Sequence, residues 1–154
     1  MEKMLKKPDY AKEILAIMHG SFSKEEMLDR IADYHENDIA EAFELLSESE
    51  RKSWYQMFGP EQIAEIFSYI DDPDSYLKEL PLDEAAKVLS FMDSDDAVDV
   101  LDDLSETKKN EIVEHLDADA KEDVQKLLSY EDDEIGSCMT NNFVCIPNTL
   151  TIRE

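Results

Sequence analysis

The chain has 154 residues, 42% of them apolar, and its 39 acidic side chains against 15 basic ones give a formal charge of −24. That size and apolar share suit one domain with a small appendage and exclude a disordered acidic tail. The charge excludes nucleic acid and anionic membrane surfaces, both bound through lysine and arginine, and favours cations or basic partners.

Nothing in the sequence reaches the roughly 20 consecutive apolar residues of a transmembrane helix. The opening MEKMLKKPDYAKEIL lacks the continuous apolar stretch of a signal peptide. Cys138 and Cys145 are not at a zinc spacing and read as free thiols in a reduced compartment.

In chain order, helices are expected near 9–19, 24–34, 38–46, 48–58, 60–70, 73–79, 82–91, 94–103, 106–115 and 118–129. An internal repeat organises them. Leu46, Phe58 and Ile70 are spaced by twelve, and so are Leu80, Met92, Leu104, Leu116 and Leu128. The two sets differ in phase by two residues, and DDPDSYLKEL (71–80) is the irregular unit between them.

After most of these register positions comes a residue that caps helices, such as Ser47, Asp93, Ser105 and Asp117. Ser23 with Glu26, and Ser47 with Glu50, have capping-box spacing. Each unit is therefore a cap, a helix of about ten residues and a closing apolar residue. Helices that short are marginal alone and must bury a face on their neighbours.

The expectation is an all-α, α-solenoid-like superhelical array of about ten helices, each touching mainly its neighbours. Met57, Phe58, Phe67, Tyr69, Phe91 and Met92 are expected in the core. Trp54 and Tyr55 are expected outside it, because SERKSWYQMF lacks a clean apolar stripe.

From about residue 130 the composition changes. Phe143-Val144-Cys145-Ile146 reads as a short strand, and Thr151 as the cap of a helix beginning at Ile152.

The most charged stretch is MDSDDAVDVLDDL (92–104), with six aspartates and no basic residue. On a helix, Ala97, Val100, Leu101 and Leu104 form an apolar stripe, and Asp95, Asp96, Asp99, Asp102 and Asp103 an opposing stripe about 120° wide. Three readings compete. The first is a solvated face. The second is divalent-cation coordination, since Mg²⁺ and Ca²⁺ favour carboxylate and water oxygens. The third is acid–base catalysis, which needs a cleft that a convex helix face does not promise. No EF-hand loop, P-loop, nucleophile elbow or zinc-protease motif occurs, and His19, His35 and His115 lie on separate units. An enzyme is not expected. Asp93 reads as a cap, and Asp102 and Asp103 as solvated.

Three segments carry a family resemblance. YHENDIAEAFELL (34–46) resembles the helix opening the repeat region of the MgtE family of magnesium transporters. MDSDDAVDVLDDL resembles that family's acidic repeat. YEDDEIGSCMTNNFVCIPNTLTIRE (130–154) resembles its junction into a CBS domain pair. Cys138 and the irregular 71–80 unit depart from the family pattern.

The resemblance implies an N-terminal superhelical domain over 1–130, then a junction and the first residues of a truncated CBS domain over 131–154. It implies a place on the cytoplasmic face of the cell membrane, in a longer, homodimeric membrane protein. Its partners there are divalent cations and the CBS and transmembrane domains of the same chain, with no nucleic acid and no membrane insertion of this part. The function implied is Mg²⁺ sensing, with cations between N domain and CBS pair favouring a closed channel. By the same resemblance the Mg²⁺-site acids are Glu65, Asp95 and Asp99, with Asp96 beside them; the CBS-side ligands lie beyond this chain, so Mg²⁺ binding here is expected to be weak or absent. The competing reading is an armadillo-like scaffold for another protein, like those of flagellar motor switches. An exposed apolar groove with few acids would favour the scaffold, and Glu65 beside Asp95 and Asp99 the sensor.

Overall fold

The computed structural model describes residues 9–130 together with Glu134 and Gly136. Ten helices and no strand occur among them: α1 (Tyr10–Met18), α2 (Lys24–Ile31), α3 (Glu36–Glu44), α4 (Glu48–Tyr55), α5 (Pro60–Phe67), α6 (Asp74–Leu77), α7 (Leu82–Phe91), α8 (Ser94–Asp102), α9 (Glu106–His115) and α10 (Ala118–Leu127). The ten helices expected between residues 9 and 129 are all present. The strand expected at 143–146 and the helix expected at Ile152 lie outside the described residues.

The register residues close each unit as expected. Leu46, Phe58, Ile70, Met92, Leu104 and Leu116 are buried, and Leu80 and Leu128 half-buried. What differs is the packing unit. The closest packing is between alternate helices: α1 on α3, α3 on α5, α5 on α7, α7 on α9, and α8 on α10. The twelve-residue period is thus half a structural repeat. Each brief turn redirects the chain, so α1, α3, α5, α7 and α8 each pack on the helix two units along.

Capping is local and follows the sequence. Ser23 and Glu26 form a reciprocal capping box. Glu50 accepts from the Ser47 backbone N–H at 2.8 Å and from its hydroxyl. The hydroxyl first, then that backbone N–H, then His19 at 2.8 Å hold the Glu50 carboxyl down to about 2. Asp117 accepts from the Ala120 N–H at 2.9 Å, and His35 Nδ1 from that of Asn37 at 3.1 Å. His35 and His115 are surface residues. Asp93 occupies the N-cap position of α8 without a side-chain cap hydrogen bond.

The irregular unit is where the two phases of the repeat meet. It is two residues short, and its helix, α6, has four residues. Tyr76 of α6 joins an aromatic cluster in which Phe43, fully buried, lies 5.6–6.1 Å from the rings of Tyr55, Phe67 and Tyr76. The Arg51 guanidinium sits 4.8 Å over Tyr76, and its Nε donates to Glu79 at 3.0 Å. Tyr55 donates its hydroxyl to Glu79 at 2.9 Å. A shortened helix with little apolar surface is therefore held by rings and a sheltered ion pair.

Four core assignments change. Tyr55, expected outside the core, is half-buried and packs against it, its ring 5.6 Å from Phe43. Trp54 is buried, its ring 4.9 Å from Phe58, because α4 turns that side against the core despite its polar sequence. Tyr69 and Phe91 are 48% and 54% exposed. Each precedes a register residue by one position, about 100° around the helix and off the buried stripe.

Both Arg51 and Glu79 side chains are only 13% exposed. Glu79→Ala is expected to cost about 3 kcal/mol by leaving Arg51 sheltered without its counter-charge. Glu65→Ala, on the exposed face of α5, should change stability by less than about 0.5 kcal/mol. Urea denaturation of both variants checks this contrast.

Candidate metal site and acidic surface

The acids of α8 divide by position. Asp95 and Asp96 lie in its first turn and are half-buried; Asp99, one turn on, is exposed. Ala97, Val98, Val100 and Leu101 are buried beneath them, and Ser94 extends that side. Asp96, Asp99 and Asp103 line a concavity of about 140 Å³ with Ser68, Asp71 and Pro73 of the chain following α5. Asp102 lies outside it and pairs with Lys109.

Burial pushes the Asp96 carboxyl up, and the negative charge of Asp95 adds to the effect; Ser68 pulls the other way. In the adjoining loop, Asp72 is pushed up first by its hydrogen bond to Asp74. Asp74 is pushed down first by that same bond and then by Lys78. The Asp103 charge also presses on Asp72. Carboxylates thus crowd this side of the molecule.

Asp95 carries the sharpest signal. Its Oδ1 is shielded from solvent and has no hydrogen-bond partner among the described residues. A buried carboxylate oxygen in that state costs free energy that a cation or an ordered water would recover.

Glu65 does not line that hollow. It is exposed on α5 and lines a separate open concavity of about 350 Å³ with Glu36, Ala64, Ser68, Tyr69, Phe91 and Asp93. Ser68 lines both hollows. Of the four residues singled out in the sequence, Asp96 and Asp99 share one hollow, Glu65 lines its neighbour, and Asp95 lines neither. Sequence reasoning set aside Asp93 as a cap and Asp103 as solvated, and passed over Glu36 and Asp71. The local signal for Asp93 was ambiguous, and the other placements depend on how distant helices meet.

The donor chemistry suits a hard cation, since Mg²⁺ takes one or two carboxylates and keeps several waters. A complete protein cage is another matter: no group of three or more His, Cys, Asp or Glu among the described residues could hold a metal ion.

The model of the MgtE intracellular N domain family matches residues 34–133. The chain belongs to that family. Two solved structures share its fold. The soluble part of a magnesium transporter matches with a TM-score of 0.79 at 26% identity, over 88% of this chain and 54% of that one. The cytosolic domain of the Mg²⁺ channel MgtE in complex with ATP matches with a TM-score of 0.67 at 22% identity, over 80% of this chain and 52% of that one. The chain therefore spans about half the length of these structures. No curated protein matches it. No helix of this N domain, among the described residues, is long and apolar enough to cross a membrane.

The raised Asp96 pKa fixes the sign of a pH effect. The folded state holds this proton to higher pH than the unfolded chain, so Asp96 lowers stability as pH rises through its folded value. Asp96→Asn is expected to raise the melting temperature at pH 7 and low salt. That gain should shrink toward zero as pH falls below the ordinary aspartate value of about 3.9. Calorimetric melts from pH 7 to pH 3 measure it.

Proposed function

We propose that this N domain is the Mg²⁺-sensing regulatory domain of a magnesium transporter, and that Asp95, Asp99, Asp96 and Glu65 are its metal-facing acids. The buried, unpartnered Oδ1 of Asp95 carries this reading, because it is a compensation site left open on a chain of charge −24. Asp99 follows one turn later on the same helix, and Asp96 sits beside it in a hollow lined by further aspartates. The family and both structural neighbours support a transporter context.

The proposed mechanism is electrostatic. Residues 1–130 form the sensing domain, and residues 131–154 lead into a CBS domain whose acidic surface faces this one. The α8 carboxylates repel that surface at low Mg²⁺. With cations between them, screening and bridging favour the compact arrangement and a closed channel. The cation shifts that equilibrium only by its differential affinity for the two states. Within this chain the acids supply one side of the site, so binding is weak. The same arrangement belongs on the cytoplasmic face of a membrane, in a homodimeric full-length protein.

A tenfold excess of Mg²⁺ over its dissociation constant is expected to add about 1.4 kcal/mol, or roughly 3–6 °C in melting temperature for a domain of this size. NaCl at matched ionic strength should give a smaller rise. Asp95→Asn with Asp99→Asn should erase the difference between the salts while leaving the helical circular-dichroism spectrum unchanged. Equal rises from both salts in the unaltered chain would leave only screening and overturn the proposal.

A further inference from the structure

The second hollow has a chemistry that a hydrated metal ion does not explain. Phe91 is 54% exposed and Tyr69 48% exposed, and both line one concavity whose charged members are all acidic: Glu36, Glu65 and Asp93. Mg²⁺ is held through water and carboxylate and gains nothing from a phenyl ring. Nor is the pair an extension of the core, since neither residue packs among its buried side chains.

The aromatic surface continues away from the hollow. The Tyr69 ring stands edge-on to His35 at 5.5 Å. Next in the chain is Tyr34, whose ring lies 5.9 Å from Tyr10 and whose hydroxyl donates to Glu13 at 3.1 Å. Rings thus occur on α1 (Tyr10), in the turn before α3 (Tyr34 and His35), just after α5 (Tyr69) and at the end of α7 (Phe91). No lysine or arginine lines the hollow.

Exposed rings flanked by carboxylates match a flat, weakly hydrated cation. A guanidinium stacks on an aromatic face and pairs with acids at its edge, whereas an ammonium is compact and more strongly hydrated. Rings spread over several helices suit a run of residues rather than one small ion.

We infer that the Tyr69–Phe91 hollow, with Glu36, Glu65 and Asp93, is a docking surface for an arginine-bearing basic segment of a partner protein. Phe91 takes the guanidinium on its face, and Glu65 and Asp93 neutralise it. The rings of Tyr34 and Tyr10 receive the residues that follow. This surface adds a polypeptide ligand to the sensing role proposed above and shares only Glu65 with the acids assigned to that role.

The test measures fluorescence anisotropy with the 154-residue chain and two labelled nine-residue peptides, one alternating arginine with glycine and one alternating lysine with glycine, in 150 mM NaCl. The arginine peptide is expected to bind about fivefold more tightly than the lysine peptide. Phe91→Ala should weaken it about tenfold, and Glu65→Gln about threefold. Phe91 is exposed, so its replacement should leave the melting temperature and the Mg²⁺-specific rise unchanged. Equal affinity for the two peptides, or an unchanged affinity in Phe91→Ala, would overturn the inference by reducing the interaction to net charge. Self-association in sedimentation that Phe91→Ala abolishes would also overturn it, by assigning the surface to a second copy of the chain. Loss of the Mg²⁺-specific rise with peptide binding intact would sink the sensing proposal alone.

Discussion

Short helices cannot stand alone, and everything in this molecule follows from that constraint. None of the ten exceeds ten residues, and isolated helices below about 12–15 residues are marginal in water. Each must lay one side against another helix. The register residues from Leu46 to Leu116 provide that side at the point where each helix ends. Alternate helices stack, and the chain coils into a row whose outward surfaces are free to carry charge. The buried stripe of α8 holds the helix in place, so its other sides can carry the exposed Asp99 and Asp102 and the half-buried Asp95 and Asp96 despite their mutual repulsion.

The joint between the two phases of the repeat shows how the array tolerates an error in period. The two missing residues shorten α6 to a single turn and remove apolar area. The Phe43, Tyr55, Phe67 and Tyr76 rings, with Arg51 and Glu79 beside them, replace it. That joint also sets where α5 ends relative to α7 and α8. Both acidic hollows lie at this meeting, and Ser68 lines each of them. The packing that repairs the repeat is thus the packing that positions the carboxylates.

Much of the fold was legible in the sequence because its signals are local. A spacing of twelve, capping residues after each register position and capping boxes at Ser23 and Ser47 suffice to place ten helices. The family was legible from ordered local segments. What was not legible depends on which distant helices meet. Trp54 sits in a polar helix and is buried only because α4 is pressed against the core. Tyr69 and Phe91 have core-like spacing but fall one position off the stripe. Arg51 and Glu79 are 28 residues apart. Glu65 joins Asp93 and Glu36 because of the way α5 lies against its neighbours, and one-dimensional spacing toward Asp95 and Asp99 does not convey this. The candidate acids were readable as a composition, and their division between two hollows was not.

The central claim is that divalent cations act on this N domain at the α8 carboxylates and not on its charge at large. Amide chemical shifts of the isotopically labelled chain, followed through a Mg²⁺ titration at constant ionic strength, test it residue by residue. The account predicts saturable shifts concentrated at residues 93–103 and near Glu65, with little change in α1, α2 or α9. Shifts spread evenly over all acidic residues, or reproduced by NaCl alone, would contradict it.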